Sequence, residues 1–322
     1  MDIHTFYAFF GFMLAAYAVV GNDSVQTLGT FIASNIRVFK WYWMWLAASA
    51  VLILTLTYGW VMHDGDISFG RLNRVPVMTV QWYHAAAPVA LLILTRMGIP
   101  VSTTFLVLST FATGVLLKDM LVKSFVGYGV AAVLSYVLWL VLSRFINEKF
   151  NTVKKQNRAF WRVAQWLSTG FLWVTWLMHD MANISVFLPR QMPLWMLIFA
   201  MITLCGWLGY IFKSQGGKIQ RVILEKTGSR FIRSATIIDI VYCIILFVFK
   251  EVNDVPMSTT WVFVGILCGR ELAIASTHAS YKLGYVFPLV GKDFLKMMVG
   301  LAVSVAIVLG IHYGTGSLAP QP

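Results

Sequence analysis

Trp41–Met62 is an apolar run without one charged side chain. As a helix it is long enough to cross a hydrocarbon core of about 30 Å. At that depth every backbone N–H and C=O must find its partner inside the protein, which leaves only helices or a closed barrel. Leu194–Phe212 and Met297–Gly316 are further runs of spanning length. The alternating short segments of a barrel are absent, so the chain is expected to be an all-α polytopic membrane protein. Composition agrees: 59% of the residues are hydrophobic and 12% are charged, where a soluble domain carries about 25% charged residues.

The net charge of +12 would suggest nucleic acid in a soluble protein. Here the basic residues gather in two loops. Arg144–Arg162 sets six Lys and Arg against Glu148, and Lys213–Arg233 sets six against Glu225. Basic loops beside apolar spans are expected on the cytoplasmic side, and no nucleic-acid partner is expected. The chain after Lys296 has no Asp, Glu, Lys or Arg, which suits the opposite side. Cys205, Cys243 and Cys268 sit in apolar runs without metal-ligand spacing and are expected to pack. Met1–His4 puts no basic segment ahead of the first apolar run. That run is therefore expected to stay as structure rather than be cleaved.

Two short polar knots interrupt the apolar pattern. Pro100-Val101-Ser102-Thr103-Thr104 returns as Pro256-Met257-Ser258-Thr259-Thr260. Each is preceded by a polar stretch, Gly21–Thr30 in one half and His179–Ser185 in the other. Asp23 lies 79 residues before Ser102, and Asp180 lies 78 before Ser258. His84 lies 16 residues before Pro100, and Asp239 lies 17 before Pro256. One offset superposes all three features, which indicates a duplicated unit. The expected repeats are 1–158, with motifs at 21–30 and 99–104, and 159–322, with motifs at 178–185 and 255–260. Paired interrupted helices in duplicated membrane halves point to a secondary transporter with its site between the repeats, near the bilayer midplane.

The knots suit an oxyanion. Proline ends the preceding helix, and Ser or Thr caps the next by accepting from its free N–H groups. Ser102, Thr103 and Thr104, and likewise Ser258, Thr259 and Thr260, should each open a half-helix whose N-terminus favours negative charge. A single such knot reads as a capped kink; two at matched spacing read as two halves of one site. Asp23 and Asp180 are costly in a membrane and would repel an anion unless protonated or joined by a cation. With Asn22, Ser24, Asn183 and Ser185 they offer a carboxylate and neutral oxygens, a set that suits a hard monovalent cation. His84 and Asp239 are candidates for carrying a proton, although a core histidine is an equal reading of His84. Polar breaks in exposed loops are the plain alternative. His63-Asp64 and His179-Asp180 lack further ligands at supporting spacing. No phosphate loop and no serine-nucleophile elbow occurs. The chain is not expected to be an enzyme or to hold a resident cofactor.

At these residues the sequence resembles the inorganic phosphate transporter (PiT) family. That family carries two Gly-Ala-Asn-Asp-Val-Ala-Asn-like motifs, each followed by a Pro-Val-Ser-Thr-Thr-His-like motif. Gly21–Gln26 is similar to the first and His179–Asn183 to its second copy. Ile99–Thr104 and Val255–Thr260 are similar to the Ser-Thr-Thr elements. Asp239 falls where the family tends to carry an acidic residue. The departures are Gln26 and His179 in place of Asn, Phe105 and Trp261 in place of His, and no acidic residue in Trp45–Leu54. The resemblance implies inverted repeats with helical hairpins, often a homodimer, and symport of inorganic phosphate with Na+ or H+.

The expected function is therefore cation-coupled phosphate symport in a bacterial or archaeal inner or plasma membrane. Phosphate would be bound by Asp23, Asp180 and the six knot hydroxyls. The co-ion would be held by Asn22, Asp23, Ser24, Asp180, Asn183 and Ser185. The alternatives are a sulfate or other oxyanion permease of the same fold and a transport-inactive phosphate sensor.

Overall fold

The computed structural model describes residues 2–97, 99, 101–112, 114–145, 158–215, 232–252, 256–277 and 283–315. Most of both basic loops, Pro100, Asp254 and Val255 lie outside the described residues. The elements in order are α1 (Ile3–Asn35), α2 (Trp41–Met62), a 3-10 turn (Trp82–Ala85) leading into α3 (Ala86–Arg96), and α4 (Thr103–Leu106). A second 3-10 turn (Leu108–Phe111) precedes α5 (Gly114–Phe145). Then come α6 (Arg158–Asp180), α7 (Ala182–Ser185), α8 (Leu194–Lys213), α9 (Ile232–Val252), α10 (Thr259–Thr277) and α11 (Leu283–Thr315). No strand occurs among the described residues. Among the described residues, six helices are long and apolar enough to cross a membrane. This is an integral, multi-pass, all-helical membrane protein.

The spans at Trp41–Met62 and Leu194–Lys213 fall where the apolar runs end. Two helices run through charged residues, and the last span starts earlier than its apolar run. α5 begins at Gly114 and runs straight through Lys118, Asp119 and Lys123, because lysine and aspartate on one helix need only a polar face or an interface, not a break. α10 continues past Arg270-Glu271, whose side chains neutralise each other in an ion pair of 2.6 Å. α11 begins well before Met297, and the apolar window on it is Val286–Ile311.

The two halves interleave. The most extensive packing joins α5 to α10, and the next joins α6 to α9; α11 packs on α4. The α5–α10 approach depends on small residues one turn apart. A Cβ on Gly265 would collide with Tyr128 O, and one on Gly269 with Ala132 O. Backbones brought together by glycine gain dispersion contact where lipid offers no hydrophobic drive. Tertiary packing also accounts for two tryptophans of α6. Trp173 and Trp176 are buried in α6 and stack at 4.8 Å, and Trp173 Nε1 donates to Ala48 O at 3.1 Å. They help to join α6 to α2. Cys243 and Cys268 are buried and all three cysteines are free thiols.

Candidate functional site

The first polar stretch does not break its helix. Gly21–Thr30 lies inside the continuous α1, and Asn22, Asp23, Ser24, Thr27 and Thr30 are fully buried. The expectation of a break rested on its polar residues. An α-helix satisfies its own backbone whatever the side chains are, so only those side chains need partners, and tertiary contacts supply them. Asn22 Nδ2 donates to Asp23 Oδ1 at 2.5 Å and to Val101 O at 2.9 Å. Thr95 Oγ1 donates to Asn22 Oδ1 at 3.4 Å. Ser24 Oγ donates to Val20 O within the helix.

The second stretch does break. α6 stops at Asp180, Met181 turns, and α7 is a single turn over Ala182–Ser185. Asp180, Asn183 and Ser185 are buried, so the polar residues do not form an exposed loop. Asn183 Nδ2 donates to Asp180 Oδ1 at 2.8 Å. Asp180 Oδ2, Asn183 Oδ1 and Ser185 Oγ make no hydrogen bond with the described residues.

Both knots form the expected cap. Ser102 Oγ accepts from Phe105 N at 3.2 Å, and Ser258 Oγ accepts from Trp261 N at 3.2 Å. The helices they open differ in length, since α4 is one turn long whereas α10 continues to Thr277. The knots also meet, and they do so reciprocally. Thr104 Oγ1 donates to Met257 O at 3.1 Å, and Thr260 Oγ1 donates to Val101 O at 3.2 Å. The aromatic residues next in the chain, Phe105 and Trp261, pack against each other at 5.3 Å.

The carboxylates join this centre through the hydroxyls. Thr103 Oγ1 donates to Asp23 Oδ2 at 2.7 Å. Asn183 Nδ2 in turn reaches Thr103 Oγ1 at 3.1 Å and Thr104 Oγ1 at 3.3 Å. Gln26 Nε2 reaches Thr260 Oγ1 at 3.3 Å and Asp23 Oδ1 at 3.4 Å. Gln26 stands three residues after Asp23, as Asn183 stands three after Asp180, and each amide contacts its own carboxylate and the other half's knot. Thr104, Thr259 and Asn183 surround the Asp180 carboxylate, and Asp23 and Asp180 lie within electrostatic reach of each other. All twelve residues expected to bind substrate or co-ion are buried at or beside this centre.

His84 and Asp239 are placed elsewhere by their hydrogen bonds. Asp239 accepts from Thr30 Oγ1 at 2.8 Å and Thr169 Oγ1 at 2.6 Å, which ties α9 to α1 and α6. His84 Nδ1 accepts from Gln81 N at 2.9 Å, and its ring stacks on Phe111 at 4.3 Å. That is a local cap and a packing contact.

Three residues at or near the centre went unassigned in the sequence. Tyr242 OH donates to Thr259 O at 2.9 Å, and Ser124 Oγ accepts from Ser258 N at 2.8 Å. Tyr242 sits in an apolar run with nothing to mark it, and Ser124 follows Lys123 with no motif around it. The third is Arg71, a fully buried cation within electrostatic reach of Asp180, on a segment whose sequence looks like an ordinary polar loop. That segment is latched to the one after α7. Met192 N donates to Gly65 O at 3.1 Å, Trp60 Nε1 to Met192 O at 2.8 Å, and Arg190 Nη2 to Val75 O at 3.2 Å. Partial burial lowers the pKa of Arg190 from its usual value, and nearby Asp66 opposes that shift.

A buried polar centre thus lies where two capped helix ends meet among membrane-spanning helices. No family model matches the chain, and no curated protein matches it. Its fold is similar to a solved structure described as the sodium-dependent phosphate transporter, with a TM-score of 0.67 and 16% sequence identity. The likeness covers 98% of this chain and 100% of that one, so the shared fold extends over the whole molecule.

Proposed function

We propose that this protein is a secondary transporter that carries inorganic phosphate together with a monovalent cation. The observation that carries the reading is the reciprocal meeting of the two knots beside two buried carboxylates. Burying such groups is unfavourable unless they recognise something polar. In this reading the knot hydroxyls and the capped N-terminus of α10 hold the phosphate oxygens, with Thr103, Thr104 and Thr260 turning their protons from Asp23, Met257 O and Val101 O to the anion. Asp23 and Asp180 distinguish phosphate from sulfate. Hydrogen phosphate carries a proton that a carboxylate can accept as a hydrogen bond, and sulfate carries none at neutral pH. A carboxylate facing sulfate only repels it, and such unpaired buried groups discriminate strongly.

The co-ion is Na+ in this proposal, and Asp180 Oδ2, Asn183 Oδ1 and Ser185 Oγ are its ligands. Support comes from their chemistry: three buried oxygens on one short segment, none in hydrogen-bonding geometry with a described residue, with Thr104 and Thr259 close beside the Asp180 carboxylate. Oxygen sets of this kind suit a hard cation. The similar fold of a sodium-dependent phosphate transporter adds to it. We read the halves 1–158 and 159–322 as inverted repeats that rock against each other. The matching caps and the reciprocal Thr104 and Thr260 bonds support this. A homodimer in a bacterial or archaeal plasma membrane is part of the same reading.

Labelled phosphate uptake into proteoliposomes tests the proposal. A sodium gradient should drive uptake, and excess unlabelled sulfate should compete poorly. Uptake indifferent to both sodium and proton gradients would sink the coupling. Sulfate competing as well as phosphate would reassign the substrate. Saturable phosphate binding without counterflow would mark a sensor instead.

A further inference from the structure

The segment between α2 and the Trp82–Ala85 turn points one cation inward. Gly70 and Leu72 line an open cavity of about 460 Å³, together with Asp64, Asp66, Asn73 and Arg190. Arg71, between them, is 1% exposed. Its neighbours thus face the cavity while its side chain lies within the protein. The local backbone is shaped to do this. Asp66 accepts from Ser68 N at 2.7 Å, Ser68 Oγ at 2.7 Å and Gly70 N at 3.2 Å. Phe69 and Gly70 have positive φ of 55° and 76°, and Phe69 packs against the face of Gly59. A non-glycine residue in the left-handed region is costly and persists only where its surroundings hold it.

A buried guanidinium in a membrane protein is also costly unless paired. Asp180, the residue on which Thr104, Thr259 and Asn183 converge, lies within electrostatic reach of Arg71. Resting on the reading of this centre as a phosphate symport site, we propose that Arg71 is a tethered cation between the outer cavity and the knots. There it offsets Asp180 and takes an oxyanion that enters from the cavity. Guanidinium presents a fork of donors that matches two oxygens of a phosphate. One positive charge is therefore permanent, and the site needs one fewer mobile cation than its two carboxylates would otherwise demand. The segment is joined next to the start of α8, the far end of that helix from Lys213, after which the sequence turns basic. By charge bias the cavity faces away from the cytoplasm.

The test compares wild-type protein, Arg71→Gln and Arg71→Lys in proteoliposomes, with phosphate KM and the sodium Hill coefficient as readouts. Arg71→Gln should raise phosphate KM about tenfold or more, as loss of a charge-assisted pair does. It should also raise the sodium Hill coefficient, because a mobile ion then fills the place of the fixed charge. Arg71→Lys should keep the wild-type sodium dependence and still raise KM, since an ammonium lacks the fork. Unchanged phosphate KM in either folded variant overturns the proposal. If Arg71→Gln does not fold, Arg71→Lys decides alone by the same criterion. Wild-type protein that transports no phosphate would count against the symport reading itself. Transport in the wild type with indifferent Arg71 variants counts against this inference only.

Discussion

Asn22-Asp23-Ser24 and Asp180–Ser185 offer nearly the same side chains to the same centre, yet their surroundings differ. The first lies in an unbroken helix. Both oxygens of Asp23 accept hydrogen bonds, Asn22 is engaged at both ends, and Ser24 bonds its own helix. The second lies where α6 gives way to α7, with one oxygen each of Asp180, Asn183 and Ser185 taking no part. A duplicated motif therefore need not do one job twice. The first copy is knitted into the scaffold, whereas the second keeps acceptors available. Arg71 reinforces the asymmetry, because the fixed cation stands on the Asp180 side.

The contrast between the copies breaks most decisively at the carboxylates. Asp180→Asn should lower sodium-driven phosphate uptake about a hundredfold, equivalent to ~3 kcal/mol of barrier, while the melting temperature stays close to wild type. Asp23→Asn should behave the other way round in stability. Its amide would set a donor against Asn22 Nδ2, Gln26 Nε2 or Thr103, and a mismatched buried pair costs about 1–3 kcal/mol. Thermal unfolding in detergent reads this directly. Equal melting temperatures for the two variants would remove the distinction drawn between the halves.

Where the halves agree, their variants should agree too. Ser102→Ala and Ser258→Ala each remove a cap of the same geometry, so each should cost about 1 kcal/mol. A clear inequality would show that the two caps carry different loads. The smallest effects separate the serines beside the carboxylates. Ser185→Ala should weaken sodium activation about threefold, the size expected for one neutral oxygen contact, and leave stability unchanged. Ser24→Ala should alter neither, since its hydroxyl serves only its own helix. Sodium titrations of uptake distinguish them; a matching loss in Ser24→Ala would restore a symmetrical pair of ion sites.

Much of the centre is legible in the residues. Asp23, Asp180 and the two Ser-Thr-Thr knots stand out because polar groups in an apolar chain need partners and the spacing repeats. Gln26 is visible as a departure from the resemblance, but its role emerges only through Thr260, far away in the chain. His84 and Asp239 stand at matching positions, yet one caps a turn and the other holds three helices together. Matched spacing along the chain does not report which neighbours arrive.

The order of residues alone dictates a multi-pass helical protein with paired polar knots. Long apolar runs and proline-hydroxyl punctuation act within a few residues, so their consequences are local. It took the packed molecule to keep α1 continuous through Asp23 and to bring Thr104 and Thr260 reciprocally across the centre. The same packing buried Arg71 within electrostatic reach of Asp180. These outcomes depend on contacts between residues far apart in the chain, and hydropathy carries no record of which distant groups will satisfy one another.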